Sequence, residues 1–439
     1  MRNNLFMSLE SEDTGTMAPE DMVPAADLGA AEAAHEVDQV AGETQEVVAS
    51  IEDATVAVDE LTEQQEILGD TLAEGGDGEG EGASPATAAA VSASVESIRR
   101  RVGLSRVDRT KPIPSKENFA SKGSRRQATR MSQEGVSDTL KSIWEAIKRG
   151  LRLLADKIRS FLTGLTGSAA QLEKHLSSLQ DRVRKLGGDN EKAEKELSIG
   201  AAKAFTIDKK ADKATAITVL ENAAAIPDAA RELSEQVVKL SGVAVGGAVK
   251  TEGQYFTAVK AAVDKAFSGL GKVSFSGKAG ENEGDREYYG HLVEGRAISV
   301  VTKTSGVAEL RLEFVSNTDG TADKIEALDP AGMSEVLKKA LAVTSKLESI
   351  GNVEKALKSA VDKCTQAADK AIAAAKAVAD DGKEKDKADE LRHAAAAVRS
   401  LNGIMAKMGL DLPKNAFSAA RAAGDYVSSS IANFKPKKK

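Results

Sequence analysis

Acid–base chemistry needs a titratable group near neutrality with partners in reach, and one stretch of the sequence offers that. His291 follows Tyr288 and Tyr289, with Glu287 and Glu294 close by. A lone histidine in a strand-like run serves structure more often than catalysis, and no second cluster supports it. Gly269-Leu270-Gly271-Lys272 and Gly277-Lys278 have only the outline of a phosphate loop. Five residues separate Gly271 from Gly277, and Ala279 stands where a Mg²⁺-binding hydroxyl belongs. Asp319-Gly320 and Asp380-Asp381-Gly382 lack the spaced oxygens and closing Glu of a calcium loop. Cys364 is the single cysteine and histidines number four, which excludes a disulfide framework and a thiolate metal site and leaves no basis for a zinc site. The expectation is a protein that is not an enzyme, with no catalytic residue, no metal and no cofactor.

Chemistry done to the chain is better marked than chemistry done by it. In residues 1–134, 9 of 17 glutamates have Ser or Ala two places earlier, against 3 of 21 in residues 135–439. The nine end at Glu10, Glu20, Glu32, Glu36, Glu43, Glu52, Glu96, Glu117 and Glu134. An arm rich in Ala and Ser produces some such triplets by composition alone. The last, Ser132-Gln133-Glu134, stands before Gly135-Val136-Ser137-Asp138, where a strongly patterned helix is expected to begin with Asp138 as its cap. A small residue after the glutamate and an unfolded approach suit an endoprotease. Ser132, Gln133, Glu134 and Gly135 are the candidate cleavage site, and Glu52, Glu96 and Glu117 are secondary candidates.

The elements around these residues follow from charge and period. The net charge of −7 conceals three regions. Residues 1–96 hold 23 carboxylates against Arg2, or −22; residues 97–134 hold 11 cations against three carboxylates, or +8; the remaining 305 residues carry +7. Residues 1–96 read as an acidic, mostly disordered arm, because they are poor in large apolar side chains. Within them a loosely periodic stretch at about 30–72 can form a helix against a partner, or a marginal one alone. Residues 97–134 read as a basic, exposed connector. From Val136 to Leu162 apolar residues recur at steps of three and four, while Lys141, Lys148, Arg149, Arg152, Lys157 and Arg159 fall mostly off the stripe, as in a basic amphipathic helix. Such a helix packs on a core, lies on an anionic membrane or tracks phosphates. Trp144, the only tryptophan, reads as core rather than as a membrane anchor.

A break at Gly164-Leu165-Thr166-Gly167 and a second helix to about 187 would make residues 135–187 a helical hairpin. Helices are expected over about 191–205, 214–225 and 228–240, the last capped through Pro227-Asp228. The period then changes to that of short strands at 272–276, 291–293, 296–302 and 308–315. Ala-rich helices follow at about 331–349, 352–380, 384–408 and 413–433. The fold class is mainly α, with helical hairpins or a bundle and a small antiparallel sheet at about 272–316, preceded by the largely disordered arm. The regions are 1–96, 97–134, a helical 135–240, an α+β 241–330, a helical bundle 331–434 and a basic tail 435–439. No apolar run reaches the roughly 18 residues of a membrane span, and the N-terminus is not a secretory signal, so a soluble chain is expected.

With its acidic arm, its series of triplets and a body that begins directly after Glu134, the chain resembles the internal (inner-body) head proteins of giant tailed myophages of the phiKZ-like kind. That resemblance implies an N-terminal propeptide removed inside the assembling prohead by a phage protease cutting after Ser/Ala-X-Glu. It implies a protein made in the host cytoplasm and located inside the capsid. Its partners would be the prohead protease, the capsid or other internal head proteins and, through the +7 body and the Lys435–Lys439 tail, non-specific double-stranded DNA. Ejection with the DNA would follow packaging. Two other readings stand beside it: a prohead scaffold or core protein that leaves the capsid, and a membrane-active effector using the basic helix 136–162.

Overall fold

The computed structural model describes residues 25–73, 81–104, 121–186, 190–192, 194–245, 252–274, 286–303, 309–316, 320–381 and 384–436. Among these residues the helices are α1 (Ala25–Ala73), α2 (Pro85–Arg101), α3 (Lys122–Lys185), α4 (Gly200–Ala204), α5 (Lys213–Val245), α6 (Glu252–Phe267), α7 (Pro330–Glu348), α8 (Gly351–Asp381), α9 (Glu384–Ala406) and α10 (Leu412–Ala432). The strands are β1 (Asn190–Lys192), β2 (Glu196–Leu197), β3 (Arg286–Leu292), β4 (Arg296–Lys303), β5 (Glu309–Ser316), β6 (Ile325–Glu326) and β7 (Phe434–Pro436). The fold is mainly helical with a small antiparallel sheet.

Helix α3 is the axis, a single rod of 64 residues. It begins well before Asp138. Ser121 caps it in the extended conformation, accepting from the Ser124 amide while the Ser124 hydroxyl accepts from the Ser121 amide. It also continues through Gly164 and Gly167, so the expected hairpin does not form. The reason is burial: Leu162, Leu165, Ala169, Leu172, Leu176 and Leu179 extend the stripe begun by Val136 and Leu140 without interruption. Thr166 and Ser168 hydroxyls donate to the carbonyls of Leu162 and Gly164 and satisfy this turn internally. Two glycines cost a helix about 2 kcal/mol relative to alanine, less than the burial of the leucines around them returns.

The helix expected over 30–72 is present as α1, and its partner is in the same chain. Ala41, Ile51, Ala54, Ala57, Val58, Leu61 and Leu68 are buried in one continuous core with α3, and α1 packs on α3 and α9. Helix α5 runs through Pro227, which displaces the expected start at Asp228; tertiary packing of Ile226, Ala229, Ala230 and Leu233 holds the turn in place of the missing N–H. The expected helix over 191–205 is instead β1, β2 and the short α4. The C-terminal helices fall where their period placed them. A π-turn at Lys407–Asp411 joins α9 to α10 in unbroken helical backbone, with Gly409 against Ile158.

Strands β3, β4 and β5 form an antiparallel meander, with Ile298 of β4 opposite Tyr289 and Phe314. Of the strand expected over 272–276, Lys272 forms an isolated bridge to Tyr289, and Phe275 and Ser276 lie outside the described residues. Two short clasps join distant parts of the chain, β1 with β7 and β2 with β6. Asn433 reinforces the first, its side chain bonding both the amide and the carbonyl of Glu194.

Trp144 is 0% exposed at the centre of the α3 stripe. Trp144→Ala is expected to lower the unfolding free energy by about 3–5 kcal/mol. Leu153→Ala, at a side chain facing solvent on the same helix, should cost under about 0.5 kcal/mol; urea denaturation of both variants checks the contrast.

Candidate processing site and the arm that covers it

Ser132, Gln133, Glu134 and Gly135 lie inside α3, three turns beyond its start. Ser132 and Gln133 are each 5% exposed, and Glu134 and Gly135 are half-buried. The Ser132 hydroxyl donates to the Ala128 carbonyl at 3.0 Å, and the Thr139 hydroxyl to the Gly135 carbonyl at 2.9 Å. A protease engages an extended segment, so this stretch of helix must unwind before the Glu134–Gly135 bond can be cut. The expectation of an exposed site at the mouth of a helix is therefore corrected: the site is helical and covered.

The cover is the arm itself. The Ala83 amide donates to the Thr129 hydroxyl at 2.9 Å, and the Arg99 guanidinium, itself buried, donates to the Thr139 hydroxyl at 3.3 Å, so the segment before α2 and the end of α2 bracket the site. Gly82 has φ +79, and a Cβ there would stand 2.9 Å from the Arg125 backbone, so only glycine permits this approach. Helix α1 runs antiparallel to α3. Glu43 pairs with Lys157 and Ile51 lies against Gly150, whose absent Cβ would meet Ile51 Cγ1 at 2.7 Å. Of the secondary candidates, Glu52 lies within α1 next to the buried Ile51, and Glu96 lies within α2, 3.4 Å from Arg100. Glu117 lies outside the described residues.

The arm meets the body through matched charge. Asp59 accepts from Arg399 at 2.6 Å, whose Nε also donates to the Thr55 hydroxyl at 3.1 Å. Glu66 takes Arg392 in a two-pronged contact, one prong at 2.9 Å. Within the precursor region itself, Glu60 pairs with Arg101 at the end of α2 at 2.5 Å. Lys157 holds the Glu43 carboxyl below the usual range, first through their hydrogen bond. Arg392 and Arg399 were not singled out in the sequence, although a signal existed. Asp59 and Glu66 are seven residues apart on α1, as are Arg392 and Arg399 on α9, a spacing that puts each pair on one helix face.

The basic residues of α3 divide between solvent and ion pairs. Lys141, Arg149 and Arg152 are exposed. Lys148 pairs with Asp369 and Glu145, Lys157 with Glu43, and Arg159 with Glu354 at 2.9 Å. Since Trp144 and the apolar stripe form the core, that face is not presented to a membrane in this conformation. Among the described residues no helix is long and apolar enough to cross one.

The residues considered for catalysis form a structural tie. Tyr289, almost wholly buried, donates to Asp264 at 2.5 Å and to Glu287 at 2.8 Å, while Lys260 bonds both carboxylates and Lys272 reaches Glu287 at 3.0 Å. The network fastens α6 to β3. His291 stands apart from it; burial pushes its imidazole below the usual value, with Asp208 opposing, and its carbonyl accepts from Asn222. Glu294 pairs with Arg296. Gly271, at φ +70, turns the chain from a 3-10 turn into the bridge at Lys272, while Gly277 and Lys278 lie outside the described residues. Asp380 and Asp381 end α8, and Asp319 and Gly382 lie outside the described residues, as does the side chain of Cys364. Among the described residues no group of three or more His, Cys, Asp or Glu is placed to hold a metal.

Lys272, then Tyr289 and Lys260, bring the Glu287 carboxyl down from 4.5 to about 2. A depressed folded-state value means that the tie stabilises above the unfolded value and is lost as pH falls through the folded one. The stability difference between the wild type and Glu287→Gln should be full above about pH 4.5 and shrink toward pH 2, as urea melts across that range can check.

No curated protein and no solved structure matches the chain. The family described as phiKZ-like phage internal head proteins matches residues 25–429, from the first turn of α1 nearly to the end of α10. With that span covered, the chain belongs to the phiKZ-like phage internal head proteins, and its place is inside the capsid.

Proposed function

We propose that this internal head protein is made as a precursor, cut after Glu134 by the prohead protease, and packaged with the genome as the body 135–439. The observation that carries the reading is the division of charge at that bond. Residues 1–134 carry −14 and the remainder +7, and in the folded precursor arm carboxylates at Glu43, Asp59 and Glu66 sit on body cations at Lys157, Arg399 and Arg392. An acidic arm repels DNA and occupies those cations; the cut separates it covalently from a body whose own net charge favours non-specific contact with phosphates through counterion release, and each arm piece that leaves uncovers the cations it held. Capsid proteins or other internal head proteins are the protein partners this reading supplies.

The helical, covered state of Ser132–Gly135 gives the cut a condition. It takes place while the first turns of α3 are open, either before α1 and α2 dock or during a local opening, and its rate follows the population of the open form.

Peptide mass spectrometry of purified virions is the direct test. A semi-specific peptide starting at Gly135 is expected; abundant uncut peptides spanning Arg130 to Lys141 would sink the maturation reading. Opening is tested separately. Gly150→Leu drives a side chain into Ile51 and should cost the arm's seat about 1–3 kcal/mol. The initial rate of cutting at Glu134 in the full-length chain should then rise by about 5- to 100-fold, and an unchanged rate would mean that α1 does not control access.

A further inference from the structure

The triplets are unevenly placed along the part of the arm that is packed. Between Glu52 and Glu96 the glutamates are Glu60, Glu63, Glu66, Glu74, Glu79 and Glu81, and the residues two places before them are Val58, Leu61, Gln64, Leu72, Asp77 and Glu79. None is Ser or Ala. A protease of Ser/Ala-X-Glu specificity therefore leaves the 44 residues from Asp53 to Glu96 whole. The segment before it fares differently. Cuts after Glu32, Glu36, Glu43 and Glu52 divide it into pieces of four, seven and nine residues, each too short to hold a helix in water.

The spared segment is also the one with the firmest seat on the body. It contains Val58, Leu61 and Leu68 of α1, all 0% exposed in the shared core. It contributes Asp59 and Thr55 to Arg399 and Glu66 to Arg392, and both arginines belong to α9 of the body, which stays whole on this reading only with the triplet Ala388-Asp389-Glu390 uncut inside that helix. Full processing removes the ion pair of Glu43 with Lys157. We propose that the mature body retains Asp53–Glu96 as a separate, non-covalently bound peptide lying along α3 and α9. The proposal rests on the maturation reading above. In it, scission clears the N-terminal half of α1 and frees Lys157, while the spared segment keeps its 11 carboxylates on the body, so that contact with phosphates falls to the cations it does not cover rather than to Arg392 and Arg399.

Intact-mass analysis of proteins extracted from purified virions, combined with gel filtration of the undenatured extract, tests this. The expected result is a body beginning at Gly135 and, at about one copy per body, a peptide with Asp53 at its start and Glu96 at its end that elutes with it. A body beginning at Gly135 without that peptide, or with the peptide cut between those ends, overturns the proposal and leaves the maturation reading standing. A chain uncut between Arg130 and Lys141 overturns both. In virions carrying Arg392→Ala with Arg399→Ala, recovery of the peptide relative to the body should fall by about tenfold, the loss of two charge-assisted contacts. Lys157→Ala, whose partner lies in a discarded piece, should leave recovery unchanged. If the double variant yields no particles, Asp59→Asn reads the same contact with a severalfold loss. Recovery unaffected by either alteration of the Arg399 contact would remove the seat assigned here.

Discussion

The apolar stripe of α3 is the constraint on which the rest of the structure depends. At 1.5 Å per residue, 64 residues make a rod of about 95 Å. Such a helix has too much apolar surface for any single neighbour to cover, and α1, α7, α8 and α10 all pack on it. The chain thus has one core that runs from Ala41 to Val427 rather than a series of local ones, and removing any covering helix exposes a strip of α3 rather than a separate module.

The arm's buried face differs from the stripe it covers. Beside Ile51, Val58, Leu61 and Leu68, α1 buries Thr44, Thr55, Thr62 and Gln65. The three threonine hydroxyls are satisfied within the helix itself, on the carbonyls of Val40, Glu52 and Val58. Thr44 and Thr62 are therefore compatible with either state of the interface, whereas Thr55 also accepts from Arg399 of α9. The contacts that do need a partner, at Asp59 and Glu66, are concentrated on α9.

Much of this was legible in the sequence, and the misreadings have physical causes. Helices α7 to α10 and strands β4 and β5 follow from local period, because each element buries one face against neighbours that do not alter its register, whereas β3, Arg286–Leu292, shares only His291 and Leu292 with the strand expected at 291–293. Gly164 and Pro227 misled because propensity weighs one residue at a time, whereas burial of Leu162, Leu165 and Leu172, or of Ile226 and Ala230, acts over whole turns. The triplet at Ser132 was visible, but its burial was not, since the covering residues Ala83 and Arg99 are 46 and 40 positions away from their partners Thr129 and Thr139. Clasps of two or three residues, such as β1 with β7, leave no local signature at all. The matched seven-residue spacing of Asp59 with Glu66 and Arg392 with Arg399 was present in the sequence, but pairing it required knowing that α1 and α9 are neighbours.

The π-turn between α9 and α10 carries a consequence for how this sequence can change over time. A π-turn is an α-helix holding one extra residue, and each residue rotates a helix by about 100°. It sets the phase between α9, which faces α1 and α8, and α10, which faces α5 and α7. Substitution at Lys407 or Met408 alters a side chain and leaves that phase intact. Deletion of any one residue from Lys407 to Asp411 would instead turn Ala416, Ala420, Ala423 and Val427, all buried, away from their neighbours together. In this joint, the number of residues is under tighter restraint than their identity.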